Sequence, residues 1–359
     1  MTDKVVEVGN LKKSFGDVVA LKDVTFDVER AQTYVLLGPS GCGKSTTLEI
    51  IAGLQEPDEG SVRIMGKEMK GVPPQERPTT TAFQSWALFP HKTVGENVAF
   101  GLRMKNVPED EIKKRVSETL KLVGLAGYED RYPPGLSGGE KQRVSFARTL
   151  VPEPEVVLLD EPLSNLDRKL REDMRVLLTE ILDDLSMTST YVTHDQQEAF
   201  TLGDKIAVMG QGIISQEGGP EDLYETPANP HVASFIGDSN ILEGVIEKET
   251  DEEIEAYIES LDKSIKLVKK GEVEEEDKVK IYIRPSTIEI LSKETKEEDN
   301  KLKILFMRKI FQGDDLRYLL EMEEGREIIV DSEKYIEIEE GEELLIKIPK
   351  ECIYFSTES

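Results

Sequence analysis

The chain has 359 residues, 72 Asp and Glu against 45 Lys and Arg, a formal charge of −27 and a pI near 4.6. Its length admits two domains and a core large enough to need no disulfide or metal staple. The acidity speaks against a nucleic-acid binder, which needs a basic face, and against direct docking on anionic lipid. High-salt adaptation and ordinary solubility both remain open as its cause.

Taken in order, the N-terminus (Met1-Thr2-Asp3-Lys4) has neither the basic nor the apolar stretch of an export signal, so none is expected. Val5–Val8 and Val24–Val28 alternate as half-buried strands do. Between them stands Phe15-Gly16, whose ring is either a core residue or a platform for an adenine. Tyr34–Leu37 is a short apolar run that predicts a buried strand, and Thr47–Ala52 predicts the start of a helix. Between these lies Gly38-Pro39-Ser40-Gly41-Cys42-Gly43-Lys44-Ser45-Thr46, which fits G-x-x-x-x-G-K-[ST] in the strand–loop–helix context that a phosphate-binding loop requires. Its glycines let successive N–H groups point at phosphate oxygens, and the helix N-terminus adds its positive end. Lys44 is expected on the β- and γ-phosphates and the Ser45 hydroxyl on Mg²⁺.

Thr79–Phe83 predicts a strand that delivers Gln84 to its end. A polar residue there either coordinates Mg²⁺ and orients water or is a plain loop residue. From Trp86 to Gly135 the pattern turns helical, with Ile112, Val116, Leu120 and Val123 at helical spacing over 109–123. This reads as a helical insert in an α/β domain. Trp86-Ala87-Leu88-Phe89-Pro90 reads as local core or as a surface for a partner. Leu136-Ser137-Gly138-Gly139 opens a helix and forms a second anion site by the same helix-end physics. One phosphate loop does not need a second cradle, whereas a dimer does if each cradle completes the other subunit's site.

Val156–Leu159 is a continuous apolar run typical of a parallel strand. It ends in Asp160-Glu161-Pro162, where ligands bind in such sheets. Asp160 is expected to hold Mg²⁺ through water and Glu161 to act as base toward an attacking water. Arg168–Leu185 predicts a helix. Thr190–Thr193 predicts another buried strand, ending in His194, which is placed to touch a γ-phosphate; His91 and His231 are expected on the surface. Ile206–Met209 and Ile213–Gln216 predict a hairpin, and 223–235 is expected to close the domain.

The remainder carries 35 acids against 19 basic residues, so it contributes −16 of the charge. Six stretches read as strands: 240–246, 279–283, 301–306, 316–321, 326–330 and 343–348. Residues 272–277 and 293–300 read as charged loops. The expectation is a small all-β barrel or sandwich. Cys42 and Cys352 lie far apart in sequence and are expected as free thiols of a reducing cytoplasm. No apolar run approaches the roughly 18 residues of a membrane span, so a membrane role is expected only through partners.

The phosphate loop, Gln84, Leu-Ser-Gly-Gly, Leu-Leu-Asp-Glu-Pro, Asn165-Leu166-Asp167 and His194 stand in an order that makes residues 1–237 resemble the ATP-binding subunit of an ABC transporter. Ala87–His91, Thr193–Gln196 and Pro227–Pro230 resemble the importer ATPases with a C-terminal β extension, which serve sugars, polyamines, sulfate, molybdate, ferric iron and phosphonates. The resemblance implies an α/β P-loop NTPase domain over 1–236 with a helical subdomain at about 86–150, then an all-β domain of OB-like or TOBE type over 237–359. It implies ATP and Mg²⁺ as ligands, with Phe15 on adenine and Gln84 on Mg²⁺ and the attacking water. Ser137, Gly138 and Gly139 would meet the γ-phosphate held by a second copy, Asp167 would lie at the dimer seam, and His194 would sense that phosphate. The implied partners are a second copy, transmembrane permease subunits and, indirectly, an extracytoplasmic solute-binding protein, with the chain on the cytoplasmic face of the membrane. Asn240–Glu243 and Gly313–Tyr318 look most like polyamine importers. Other solutes, a soluble ABC ATPase and an oxyanion-binding module are the alternatives. Glu140 stands where the family more often has glutamine and Asn165 where it has alanine; neither is expected to touch the chemistry directly.

Overall fold

The structure, a computed structural model, describes residues 3–269, 273–291, 300–313, 315–322 and 325–357. The charged loop expected at 293–300 falls outside these residues except for Asn300. The chain divides into two compact units, Met1–Pro220 and Glu221–Ser359.

The first unit opens with the hairpin β1 (Lys4–Phe15) and β2 (Val18–Glu29), followed by β3 (Thr33–Leu37) and helix α1 (Lys44–Ala52). Strands β4 (Glu59–Ile64) and β5 (Lys67–Glu68) return to the hairpin's edge. Strand β6 (Thr79–Ala82) leads into helices α2 (Val94–Met104), α3 (Glu109–Leu122) and α4 (Gly138–Leu150). Then come β7 (Val156–Asp160), α5 (Arg168–Asp184), β8 (Ser189–Thr193), α6 (Gln196–Leu202) and the hairpin β9 (Lys205–Gly210) with β10 (Ile213–Gly218). The strand order is β5-β4-β1-β2-β10-β9-β3-β8-β7-β6.

Two kinds of sheet meet here, and composition separates them. Strands β9, β3, β8, β7 and β6 run parallel. All five residues of β3 and of β8 are buried, as they must be in a sheet covered on both faces. Strands β5, β4, β1 and β2 are antiparallel, and in β2 buried Val24, Phe26 and Val28 alternate with more exposed Thr25, Asp27 and Glu29. The joint is narrow: β2 meets β10 through the Asp23–Ile213 pair.

Register positions the site. Leu37 pairs with Thr193, Asp160 with Val192, and Ala82 with Leu159. The carboxyl ends of β3, β8, β7 and β6 therefore lie along one edge, and the loops leaving them carry the phosphate loop, His194, Glu161 and Gln84. This is the edge where open parallel sheets bind ligands.

The expected helical insert is present between β6 and β7. Helix α3 buries Ile112, Val116 and Leu120 on one face. Helices α2 and α4 each begin with a capping box, Thr93 with Glu96 and Ser137 with Glu140, which satisfies the N–H groups of those four residues locally.

The second unit begins with two short helices, α7 (Pro220–Glu225, whose first residue belongs to the first unit) and α8 (Pro230–Phe235). The stretch 221–236, expected at the end of the first domain, thus packs with the second. The buried Arg284 explains this: its guanidinium donates to the carbonyls of Tyr224 (3.0 Å), Ala233 (2.9 Å) and Gly237 (3.0 Å). Strands β11 (Asn240–Glu249), β12 (Glu253–Ile258), β13 (Lys263–Val268), β14 (Lys278–Ile283), β15 (Glu289–Ile290), β16 (Lys301–Phe311), β17 (Leu316–Glu321), β18 (Glu327–Ser332), β19 (Glu343–Lys347) and β20 (Ile353–Thr357) follow. They form two antiparallel sheets, β13-β12-β11-β14-β20 and β15-β19-β16-β17-β18, which share one apolar core including Leu242, Ile281, Ile304 and Ile346. Both cysteines are free. No described helix is long and apolar enough to cross a membrane.

Because each unit holds its own core, a chain ending at Pro220 is expected to fold and still bind nucleotide. Loss of ATP binding in that truncation, measured by equilibrium dialysis, would show that the site needs the second unit.

Candidate active site

The phosphate loop is shaped by two glycines that no other residue replaces. Gly43 caps α1 with φ 107°, and a Cβ there would lie 2.5 Å from Leu21 Cδ2 and 2.7 Å from the Ala20 carbonyl. At Gly38 a Cβ would lie 2.5 Å from the Met209 carbonyl. Gly43 supplies no capping side chain, so the first N–H groups of α1 remain available to an anion at its mouth. The Lys44 ammonium, 4% exposed, donates to the carbonyls of Gly38 (2.7 Å) and Pro39 (2.9 Å). No carboxylate lies within ion-pair distance of it among the described residues. A buried cation held by two carbonyls and, at 3.8 Å, by the Cys42 sulfur is the counterpart an anionic ligand requires. Pro39, Ser40, Gly41 and Ser45 are exposed around the loop, while Cys42 faces inward, where burial pushes its thiol up.

Ser45 Oγ donates to Asp160 Oδ1 at 3.0 Å, which joins the first turn of α1 to the end of β7. Burial raises the Asp160 carboxyl above its ordinary range; the Ser45 hydroxyl opposes this and Glu161 adds to it. One hydroxyl and one carboxylate beside a phosphate cradle fit Mg²⁺, which takes few protein ligands and completes its shell with phosphate oxygens and water. Among the described residues no cluster of three or more His, Cys, Asp or Glu could hold a metal without such help.

Glu161 adopts φ 42°, a left-handed conformation uncommon for a residue with a Cβ and typical of functional turns. It is pinned on both sides. Its N–H donates to the Val192 carbonyl (3.0 Å), and its own carbonyl accepts from the Ser164 hydroxyl (2.8 Å). The turn carries its carboxylate to His194, with Oε1 at 3.1 Å from Nδ1. Lys44, Ser45, Asp160, Glu161 and His194 therefore form one contiguous edge. Gln84 is exposed beyond β6, and its carbonyl accepts from Asn165 Nδ2 at 2.9 Å. Phe15 ends β1 with its ring 46% exposed and Lys13 Nζ 5.4 Å from the ring centre, so it is not a core residue. Ser137 bonds within its own turn to Glu140, and Gly138 and Gly139 lie against Trp86 and Leu170, so no hydrogen bond ties the signature to its own chain's phosphate loop among the described residues. Asp167 caps α5, its Oδ1 accepting from the Leu170 N–H at 3.1 Å.

Residues 21–164 match the family model described as ABC transporter. The chain is 47% identical over 270 residues to the spermidine/putrescine import ATP-binding protein PotA of Acetivibrio thermocellus, across 75% of this chain and 77% of that protein. The chain belongs to the ABC transporter family. The PotA of Rubrobacter xylanophilus is 54% identical over 242 residues, 67% of this chain and 64% of that protein, so the chain spans less than two thirds of that relative. Among solved structures, a dimeric ATP-binding cassette in a post-hydrolysis state bound to ADP and Pi is 32% identical, with a TM-score of 0.54 over 60% of this chain and 98% of that one. The cbiO1 protein of Clostridium perfringens, part of the ABC transporter complex cbiONQ, is 31% identical with a TM-score of 0.58 over 65% of this chain and 94% of that one.

Three supports of this ABC-family site escape sequence reasoning. The first is Glu198 in α6, 2% exposed, whose Oε2 accepts from Tyr191 OH (2.8 Å) and Thr193 Oγ1 (2.7 Å). Thr193 Oγ1 in turn accepts the Asp195 N–H at 2.9 Å, so the residues on both sides of His194 hang on one buried carboxylate. Glu198→Ala is expected to cost about 2–4 kcal/mol, because two buried hydroxyls lose their acceptor, while Glu198→Gln keeps an acceptor and costs far less. Urea titration of the two variants checks this. The second is Arg148 in α4, which donates to the carbonyls of Trp86 (2.9 Å) and Ala87 (2.7 Å) and fixes the loop after Gln84. The third is Asn165, whose Nδ2 donates to the main-chain carbonyl of Gln84 and ties the turn after β7 to the end of β6.

Proposed function

We propose that this chain is an ATPase that energises a membrane importer. The observation that carries the reading is the contiguous edge of Lys44, Ser45, Asp160, Glu161 and His194, built from the carboxyl ends of adjacent parallel strands. Phe15 stacks on the adenine. The loop N–H groups and Lys44 hold the phosphates. Ser45, Asp160 and Gln84 hold Mg²⁺, which neutralises the phosphate oxygens when bound. Glu161 orients the attacking water and takes its proton, and His194 holds that carboxylate in place and contacts the γ-phosphate. The protein's work is to position water and phosphate in line and to balance charge.

Two copies sandwich two nucleotides, each between one chain's phosphate loop and the other's Ser137-Gly138-Gly139. The dimeric state of the related ATP-binding cassette supports this arrangement. Transmembrane permease subunits dock near Trp86–Phe89, beside the cavity of about 480 Å³ lined by Trp86, Leu88, Pro133 and Lys141. The chain then works at the cytoplasmic face of the membrane, with an extracytoplasmic solute-binding protein as its indirect partner. The names of the relatives make spermidine and putrescine the solutes of first choice. The second unit is of the TOBE, OB-like kind and tunes dimerisation or activity.

Purified protein should release phosphate from ATP in the presence of Mg²⁺ and stop when the metal is chelated. Cells in which the chromosomal gene carries Lys44→Ala should lose uptake of labelled spermidine. Unchanged uptake would remove the polyamine assignment, and absence of hydrolysis would remove the enzyme.

A further inference from the structure

The donors with which Ser137 is to meet a γ-phosphate are already engaged by an anion of the same chain. Glu140 Oε2 accepts from the Ser137 N–H at 2.8 Å and from the Ser137 hydroxyl at 2.7 Å. Its other oxygen accepts from Tyr128 OH at 2.8 Å, and Arg131 lies over the Tyr128 ring at 3.7 Å. These bonds favour the charged form and hold the Glu140 carboxyl below its ordinary range, with the Ser137 N–H the largest cause. The carboxylate is thus ionised, fixed at three points, and placed at the helix start where the other subunit's nucleotide would arrive.

We infer that Glu140 sets the ATP concentration at which the sandwich closes, by competing with the γ-phosphate for Ser137 and by repelling it. This rests on the sandwich reading proposed above. The Ser137 hydroxyl has one proton to donate, so binding a phosphate oxygen breaks its bond to Glu140 Oε2. After that exchange a carboxylate and a phosphate share one helix end, within the distance at which like charges repel strongly when water is excluded. Glutamine, a neutral side chain of the same shape, would accept from the Ser137 N–H through its oxygen and donate from its amide to the Tyr128 hydroxyl oxygen, without the repulsion.

The test uses the full chain carrying Glu161→Gln, so that ATP is retained, and reads dimer formation by light scattering across an ATP series with Mg²⁺. Adding Glu140→Gln should lower the midpoint ATP concentration at least about threefold, since a near-neighbour charge repulsion is removed. Glu140→Ala is the companion variant, because it removes both the charge and the helix cap. If alanine lowers the midpoint and glutamine does not, the effect comes from loosening the helix start and the inference is overturned. An unchanged or raised midpoint for Glu140→Gln overturns it too. If no variant dimerises with ATP at any concentration, the sandwich reading fails and this inference falls with it.

Discussion

Glu161→Gln should lower the rate of ATP hydrolysis by at least about a hundredfold, the scale on which a positioned general base contributes. The substitution keeps the side chain's shape, its left-handed turn and an oxygen able to bond to His194, so the fold around β7 and β8 should persist. Only the proton acceptor is lost. Nucleotide binding rests on the phosphate loop and should survive, so the protein should accumulate with ATP bound. Single-turnover phosphate release from preloaded protein checks this. A rate equal to that of the unaltered chain would mean that another group takes the proton.

Lys44→Ala should weaken ATP binding by about a hundredfold or more, because charge-assisted bonds to phosphate are each worth about 1.5–3 kcal/mol. Lys44 is buried between the Gly38 and Pro39 carbonyls, so the substitution also leaves those acceptors without their donor. Thermal melts without nucleotide separate the two effects. The binding loss should exceed anything the melt explains, and added ATP should raise the melting temperature of the unaltered chain alone. Near-normal affinity in the variant would contradict the phosphate-loop assignment.

The edge of the parallel sheet was legible because three apolar runs, ending at Leu37, Leu159 and Thr193, are each followed at once by chemistry. Consecutive buried residues mark parallel strands, and the residue after such a strand lies at the ligand edge. Phe15 was not decidable, since a lone aromatic before a glycine reads alike in a core and on a surface; the exposure of its ring settles that it lies outside the core. Glu198, Arg148 and Asn165 act through hydrogen bonds whose purpose depends on where β6, β7, β8 and α4 come together. Arg148 reaches 62 residues back along the chain to Trp86, and Asn165 reaches 81 back to Gln84. Nothing in local spacing carries that information. In the second unit, β12 and β13 went unread although buried Ile254, Ala256, Ile258, Ile265 and Leu267 alternate there with less buried residues, the period-two pattern of a half-buried strand. The unit boundary moved because Arg284 binds 221–236 to the tail from about fifty residues away.

The composite site is the central claim, and mixing two inactive variants tests it most directly. Ser137→Arg places a bulky cation at the helix start and should spare the phosphate loop of its own chain. Lys44→Ala spoils that loop and leaves the signature intact. Each mixed dimer then has one site with both lesions and one with neither. Each variant alone should be inactive, and hydrolysis should return in part when they are mixed. Full activity of Ser137→Arg on its own, or no recovery in the mixture, would contradict the sandwich and leave Ser137 as only the cap of α4.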